Sequence, residues 1–389
     1  MKIRTPNIIW ILFLLLWCTN SCTQGDKVSK ENRRQLLLEA DTFLKKEAEA
    51  EDFSGTIAIS HNSELLFESA YGMADRTWDL PMETGYRFDI ASVNKSMISG
   101  LVMIAEQEGR LHTHDLLVNY LESYEYEGTF HPQITIHQLL THTSGLPDYG
   151  AVPEFLSADN FRELKRMHVT NPEYVDFISR LTPVGEPGEK FFYSNFAYHL
   201  LCILLEDIYD MPFGELLANK IAGPLGMSLT FSTTQNEEIH ENVVTGYMYR
   251  NDEWEKNPFI DLTLGRRVFS TSGDLVRWGE ALSDTTLFTE SSLAKIKTNH
   301  LEGITDRFSY GYGWAIHNQE TDVEMGRLSI DRPYIIHGGS TDGYKSMLVN
   351  IDSGSWVIAL LANSGNRTDE MRLIRKIVEI LNPQLTENQ

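Results

Sequence analysis

The stretch Arg87-Phe88-Asp89-Ile90-Ala91-Ser92-Val93-Asn94-Lys95-Ser96-Met97-Ile98-Ser99-Gly100-Leu101-Val102-Met103-Ile104-Ala105-Glu106-Gln107 changes its period at one serine. Arg87 to Ala91 reads as a short extended run. From Ser92 onward, Met97, Leu101 and Ala105, flanked by Ile98 and Val102, lay a broad apolar stripe at helical spacing. Ser92 falls at the junction, and Lys95 follows one turn later on nearly the same face. A serine hydroxyl is a poor nucleophile and needs a neighbouring base. The free N–H groups and partial positive charge of a helix start suit an oxyanion beside Ser92. Lys95 serves as the base only if burial or nearby charge lowers its pKa well below the reference of about 10.4. The spacing alone is weak, because Ser292-Leu293-Ala294-Lys295 has it too, without a strand in front.

Outward from this junction, the chain falls into three parts. Before it, residues Glu31 to Glu51 read as a helix rich in Leu, Ala, Glu and Lys. Two strand-like runs follow, Gly55–Ser60 and Glu64–Ala70, parted by the turn formers His61-Asn62-Ser63. From about 92 to 235 the pattern is mostly helical, with periodic segments at Ile134–Leu140, Pro172–Leu181, Phe196–Tyr209 and Phe213–Ile221. Strand signals return at Gly313–His317, Tyr334–His337, Tyr344–Ile351 and Trp356–Ala362, and a helix closes the chain near Asp369–Leu381. Strands, then helices, then strands and a helix predict an α+β fold, an antiparallel β-sheet flanked by helices with an inserted, mostly helical region.

Two further groups carry chemistry. Tyr193-Ser194-Asn195 sits between Pro187-Gly188 and the helix from Phe196. A phenol passes protons when an adjacent cation lowers its pKa from about 10, and Asn195 offers an amide to hold both Lys95 and a substrate carbonyl. Tyr249-Arg250-Asn251 repeats that pattern without the context. His337-Gly338-Gly339-Ser340 ends an apolar run, where two glycines permit a ligand to approach the backbone and the Ser340 N–H can act as an oxyanion donor.

Ser92, Tyr193 and His337 in this order, with helical material after the first and a strand before the last, resemble the serine β-lactamase-like hydrolase family. The closest types are class C β-lactamases, D-alanyl-D-alanine carboxypeptidases, and related esterases and D-amino-acid peptidases. The resemblance runs from roughly Gly55 to Leu381. It also takes in Leu139-Leu140-Thr141-His142-Thr143-Ser144-Gly145-Leu146, Gly223-Pro224-Leu225-Gly226-Met227, Ser270-Thr271-Ser272-Gly273-Asp274-Leu275 and Tyr310-Gly311-Tyr312-Gly313-Trp314. It implies a groove between sheet and helical region in which Ser92 is the nucleophile, Lys95 its proton partner and Tyr193 the base and shuttle. Asn195 then positions substrate, Asn94 helps to orient Tyr193, and His337 lines the strand edge with Gly338 and Gly339. The backbone N–H groups of Ser92 and Ser340 form the oxyanion hole. No cofactor or metal is implied.

The third motif departs from the Lys-Thr-Gly usual in relatives that act on penicillins. His337 carries full charge only below a pKa near 6.5, and Gly338 has no hydroxyl. A lost charge-assisted contact costs about 1.5–3 kcal/mol. Thr341 and Ser340 are candidates to restore the hydroxyl, and Arg266 or Arg267 to restore the charge. Gly265-Arg266-Arg267-Val268-Phe269 stands where relatives are glycine-rich, which would make a bordering pocket tighter or more cationic. Both departures point to an esterase or a peptidase of D-configured peptides, including carboxypeptidases, rather than an efficient β-lactamase. The alternatives are a receptor that binds penicillins or cell-wall peptides without hydrolysing them, and a weak class C-like β-lactamase. An α/β-hydrolase is disfavoured because Gly-x-Ser-x-Gly is absent, and a zinc enzyme because there is no His-Glu-x-x-His or cysteine cluster. His112 and His114, spaced for one side of a strand, read as surface residues.

Composition and the N-terminus bound the setting. Among 389 residues, 42% are hydrophobic, enough for a large core, and the net charge of −22 argues against a nucleic-acid partner. Lys2 and Arg4 precede an apolar run from Ile8 to Trp17, too short to span a bilayer and of the length of a signal-peptide core. Thr19 and Ser21 suit ordinary cleavage, while Ser21-Cys22 resembles a loose bacterial lipoprotein box in which Cys22 becomes the lipidated N-terminus. Residues 1–21 are therefore expected to be removed, leaving one hydrolase domain over 22–389. The protein is expected to be exported to the periplasm or cell surface, with a lipid anchor in the second reading and a small molecule or peptide as substrate. Cys202, in an apolar stretch, reads as a buried core thiol.

Overall fold

The computed structural model describes residues 30–152, 169–233, 239–257, 266–317, 327–328 and 330–386. The expected signal segment, with Cys22, and Gly265 lie outside these.

A helix, α1 (residues 30–49), leads into β1 (Gly55–His61) and β2 (Glu64–Tyr71). Asn62 and Ser63 both take positive φ in the tight turn between them, which matches the twist of a two-residue hairpin. A small hairpin follows, β3 (Met73–Asp75) with β4 (Leu80–Pro81), then β5 (Phe88–Asp89) and the helix α2 (Asn94–Gln107). The middle of the chain holds α3 (Ile136–Leu140), α4 (Asn171–Ser179), α5 (Asn195–Tyr209) and α6 (Phe213–Leu217). Next come β6 (Phe231–Thr233), the hairpin β7 (Tyr247–Arg250) with β8 (Glu253–Lys256), β9 (Arg267–Ser270), α7 (Ser272–Glu280) and α8 (Glu290–Lys297). The last part holds β10 (Ser309–Tyr310), β11 (Ala315–His317), β12 (Tyr334–Thr341), β13 (Tyr344–Ile351), β14 (Trp356–Ala362) and α9 (Glu370–Thr386).

Seven strands form one antiparallel sheet in the order β10-β11-β12-β13-β14-β1-β2. The N-terminal hairpin thus completes a sheet begun by the last third of the chain. Alternation along the central strands sorts side chains to two faces. Ile57 and Ile59, with Trp356, Ile358 and Leu360, pack against Leu37, Leu44, Leu373, Ile377 and Leu381 of α1 and α9. Ala58, Val357, Ala359 and Leu361 join the larger core, which contains the buried stripe of α2 and the interior of α5. The predicted α+β class and the sheet flanked by helices are therefore observed.

Some element limits differ from the sequence reading. Of Arg87–Ala91, Phe88–Asp89 pairs with β9 and Arg87 forms an isolated bridge to Val243, and the run stops short of Ala91, which turns into a left-handed conformation (φ 46°). Ser92 lies in a 3-10 turn, Ala91–Val93, and α2 starts after it. The strand expected from Gly313 begins at Ala315: Gly313 takes φ 76° and sits against the first turn of α2, where a Cβ would stand 2.7 Å from the Lys95 carbonyl. Past Leu217 the helix of Phe213 widens into a π-turn, Ala218–Ala222. His112 and His114 occupy a turn and are exposed, as surface residues, though not on a strand. Among the described residues no His, Cys, Asp and Glu cluster could hold a metal.

Candidate active site

Three elements converge on Ser92. The first is its own turn. Asp89 accepts the Ala91 N–H at 2.8 Å, and Arg267, from the paired strand β9, forms a buried ion pair with the Asp89 carboxylate. That pair clamps the left-handed Ala91 and presents Ser92 at the mouth of α2. Local strain held by a surrounding network is a common way to present a reactive group.

The second is β12. It pairs with β11 only over Tyr334–Ile336, so from His337 onward its only ladder among the described residues is with β13. There it runs beside the serine turn. A Cβ on Gly339 would lie 2.3 Å from Ser346 Oγ, 2.5 Å from the Ile90 carbonyl oxygen and 2.9 Å from Ser92 N. Ser346 itself donates to the Ile90 carbonyl at 2.6 Å. A methyl group must therefore push the strand away from the turn. We expect Gly339→Ala to lower kcat/KM for ester hydrolysis about 100-fold, the cost of a misplacement near 1 Å, with its circular dichroism unchanged. Activity within twofold of the parent would contradict this.

The third is the start of α5. Lys95 is 3% exposed, and its Nζ lies 3.3 Å from Ser92 Oγ and donates to Asn195 Oδ1 at 2.7 Å. The same Nζ stands 5.0 Å from the centroid of the Tyr193 ring and 5.6 Å from that of Tyr198. Burial disfavours the ammonium and lowers the Lys95 pKa to about 7; Asp148 opposes this shift and Arg267 adds to it. The amine is thus available as a base near neutrality. The structure brings Ser92, Lys95, Tyr193 and Asn195 together, with Gly339 against the serine turn and Ser340 one residue beyond at the exposed end of the strand.

Other residues fall out differently. His337 is 1% exposed rather than lining the strand edge. Its Nδ1 donates to the Gly338 carbonyl at 2.7 Å, so the ring is protonated there and Nε2 accepts from Tyr310 Oη at 3.3 Å. Burial, then the nearby Lys95, push its pKa down to about 3, so it supplies no cation in place of the missing lysine. Arg266 and Arg267 do not supply one either. Arg266 binds Glu206 at 2.5 Å and Asn171 at 2.6 Å, and Arg267 is paired with Asp89. The expected cationic border of the groove is thus taken up in structural ion pairs. Asn94 donates to the Arg266 carbonyl at 2.9 Å and so fixes the helix start. In the competing motif, Ser292 packs against its helix cap Thr289 while Lys295 pairs with Glu106, and Tyr249 to Asn251 lie on the β7–β8 hairpin. Cys202 is fully buried, its thiol pushed up to about 12 by burial.

Two residues had no role in the sequence reading. His142, left-handed at φ 57°, stacks on Tyr193 with ring centroids 4.2 Å apart and accepts the Ser194 N–H on Nδ1 at 3.1 Å. Burial and the neighbouring Lys95 keep its imidazole neutral. It therefore props the phenol of Tyr193 against Lys95. Asp148 accepts from both the backbone and the side chain of Asn195.

The family profile described as Beta-lactamase matches residues 41–382. The chain belongs to the Beta-lactamase family. Penicillin-binding protein 4* of Bacillus subtilis is 26% identical over 370 residues, covering 90% of this chain and 76% of that protein. Among solved structures, the octameric penicillin-binding protein homologue from Pyrococcus abyssi superposes with a TM-score of 0.74 at 24% identity, covering 89% of this chain and 77% of that one. The D-amino acid amidase from Ochrobactrum anthropi SV3, complexed with L-phenylalanine amide, gives 0.71 at 22% identity, over 90% and 99%. These likenesses establish the Beta-lactamase fold for the whole body of the chain.

Proposed function

We propose that the protein is a serine hydrolase that forms an acyl-enzyme on Ser92 and cleaves esters or amides of D-configured amino acids and short peptides. The observation that carries this reading is the buried Lys95 amine, with a pKa near 7, beside Ser92 Oγ. Neutral Lys95 takes the hydroxyl proton as Ser92 Oγ attacks the carbonyl carbon, and the N–H groups of Ser92 and Ser340 receive the oxyanion. On collapse, Tyr193 protonates the leaving alcohol or amine and recovers a proton from the Lys95 ammonium, which restores the neutral amine. Water then attacks the ester, with Tyr193 and Lys95 returning as base, and Ser92 regains its proton.

The preference against penicillins rests on charge. His337, buried and neutral, stands where a lysine would grip a carboxylate, and Lys345, near the far end of β12, faces Glu370 at 3.4 Å. The D-amino acid amidase among the structural neighbours is consistent with D-configured substrates. Export, and a lipid on Cys22, belong to the same proposal; the mass of the mature N-terminal peptide checks them.

The test is turnover of p-nitrophenyl acetate, of D- and L-amino-acid p-nitroanilides, and of a penicillin. We expect ester and D-anilide hydrolysis with little penicillin cleavage, and kcat/KM rising with pH through about 7 as Lys95 loses its proton. His337, neutral above about 3, does not contribute to that limb. Penicillin hydrolysis faster than ester hydrolysis would overturn the substrate assignment, and a limb near pH 4 would overturn the role of Lys95.

A further inference from the structure

The proposed reaction employs Ser92, Lys95 and Tyr193 but leaves the carboxyl group of Asp148 unused. Asp148 precedes a 3-10 turn, Tyr149–Ala151, and reaches Asn195 at the start of α5. Its Oδ1 accepts the Asn195 N–H at 2.9 Å, and its two oxygens accept from Asn195 Nδ2 at 3.2 and 3.1 Å. The two ends of an amide have almost the same shape, so packing alone does not say which end faces Lys95. A carboxylate does say. It can only accept, so it takes the NH2 end and turns Asn195 Oδ1 toward Lys95 Nζ, 2.7 Å away.

We propose that Asp148 is a positioning residue of this site, which fixes the amide of Asn195 oxygen-first toward Lys95 and holds a carboxylate one amide away from that amine. The assignment rests on the acyl-enzyme reading above.

The groups around Lys95 leave this part to Asp148. From the helical side, His142 is held neutral by burial, and Tyr198 and Cys202 are held in their protonated forms for the same reason. Tyr193 presents its ring face. From the sheet, His337 is neutral, and Arg267, paired with Asp89, adds to the lowering and so does not balance the ammonium. Burial pulls the Lys95 pKa down, and among its charged neighbours Asp148 is the foremost that pushes it back. Without that carboxylate the ammonium loses its balancing charge, and the amide is free to turn its NH2 toward a group that can then no longer donate to it.

The experiment compares the parent with Asp148→Asn and Asp148→Ala in p-nitrophenyl acetate hydrolysis between pH 5 and 10, with thermal melts alongside. Asp148→Asn keeps the shape and one acceptor oxygen but removes the charge. It should move the acid limb of kcat/KM to lower pH, with a plateau loss of about tenfold or less. Asp148→Ala removes both functions and should lower the plateau about 100-fold. A purely structural role would lower the melting temperature and leave the limb of Asp148→Asn where it is in the parent, and that result overturns the assignment. So does activity of Asp148→Ala within twofold of the parent. If the parent itself neither hydrolyses the ester nor is acylated at Ser92 at any pH, the acyl-enzyme reading falls and takes the assignment with it. If the parent acts and both variants keep its profile, only the assignment falls.

Discussion

Lys95→Met should lower kcat for ester hydrolysis about 1000-fold, within the usual range for removing a general base, while the protein folds at least as well as the parent. Methionine fills nearly the same volume and takes an amine out of a site where only 3% of the residue is exposed. Burial disfavours the ammonium there, so relief of that desolvation offsets the hydrogen bond to Asn195 that the variant gives up. The variant therefore separates catalysis from folding. Lys95→Arg should fail equally, because a guanidinium does not lose its proton in the working range. Rates with saturating ester and a thermal melt on the same samples make the comparison. A loss below tenfold would mean that another group takes the Ser92 proton.

Arg267→Met should cost about 3–5 kcal/mol of stability, the usual price of leaving one partner of a buried ion pair without the other. Arg267 and Asp89 are both almost wholly buried, and Asp89 also holds the Ala91 N–H that turns the chain into Ser92. Urea unfolding measures the loss. Asp89→Asn added to Arg267→Met should recover most of it, because asparagine keeps an acceptor for Ala91 and removes the stranded charge. If the single variant is as stable as the parent, the clamp under the nucleophile is not what holds the turn.

Much of this architecture is legible in the sequence because periodicity is a local signal. Tyr344–Ile351 and Trp356–Ala362 read as strands over the limits they take in the structure, and the stripe of Met97, Leu101 and Ala105 gives α2. Ser92 and Lys95 are adjacent on one turn, so their meeting is also local. Tyr193 and Asn195 are legible as a pair, though not in their contacts.

Burial depth and long-range partners are less legible. The resemblance implies that His337 lines a strand edge. That His337 meets Tyr310 depends on β10, which lies beyond β11 in the sheet and is far from β12 in sequence. Arg266 and Arg267 look like free cations until Glu206 and Asp89, distant in sequence, come up against them. Asp148, after Pro147, looks like an ordinary turn residue, and only the approach of Asn195 from the start of α5 gives it work. His142 stood inside a motif that carried the resemblance, yet stacking on Tyr193 has no counterpart in spacing along the chain.

The most direct test of the central claim is the intact mass of the protein after incubation with a fluorophosphonate, run beside Ser92→Ala. One adduct per chain is expected on the parent, lost in Ser92→Ala, with ester turnover falling by about 10⁴-fold or more in the variant. An unmodified parent, or the same adduct on Ser92→Ala, would contradict an activated Ser92.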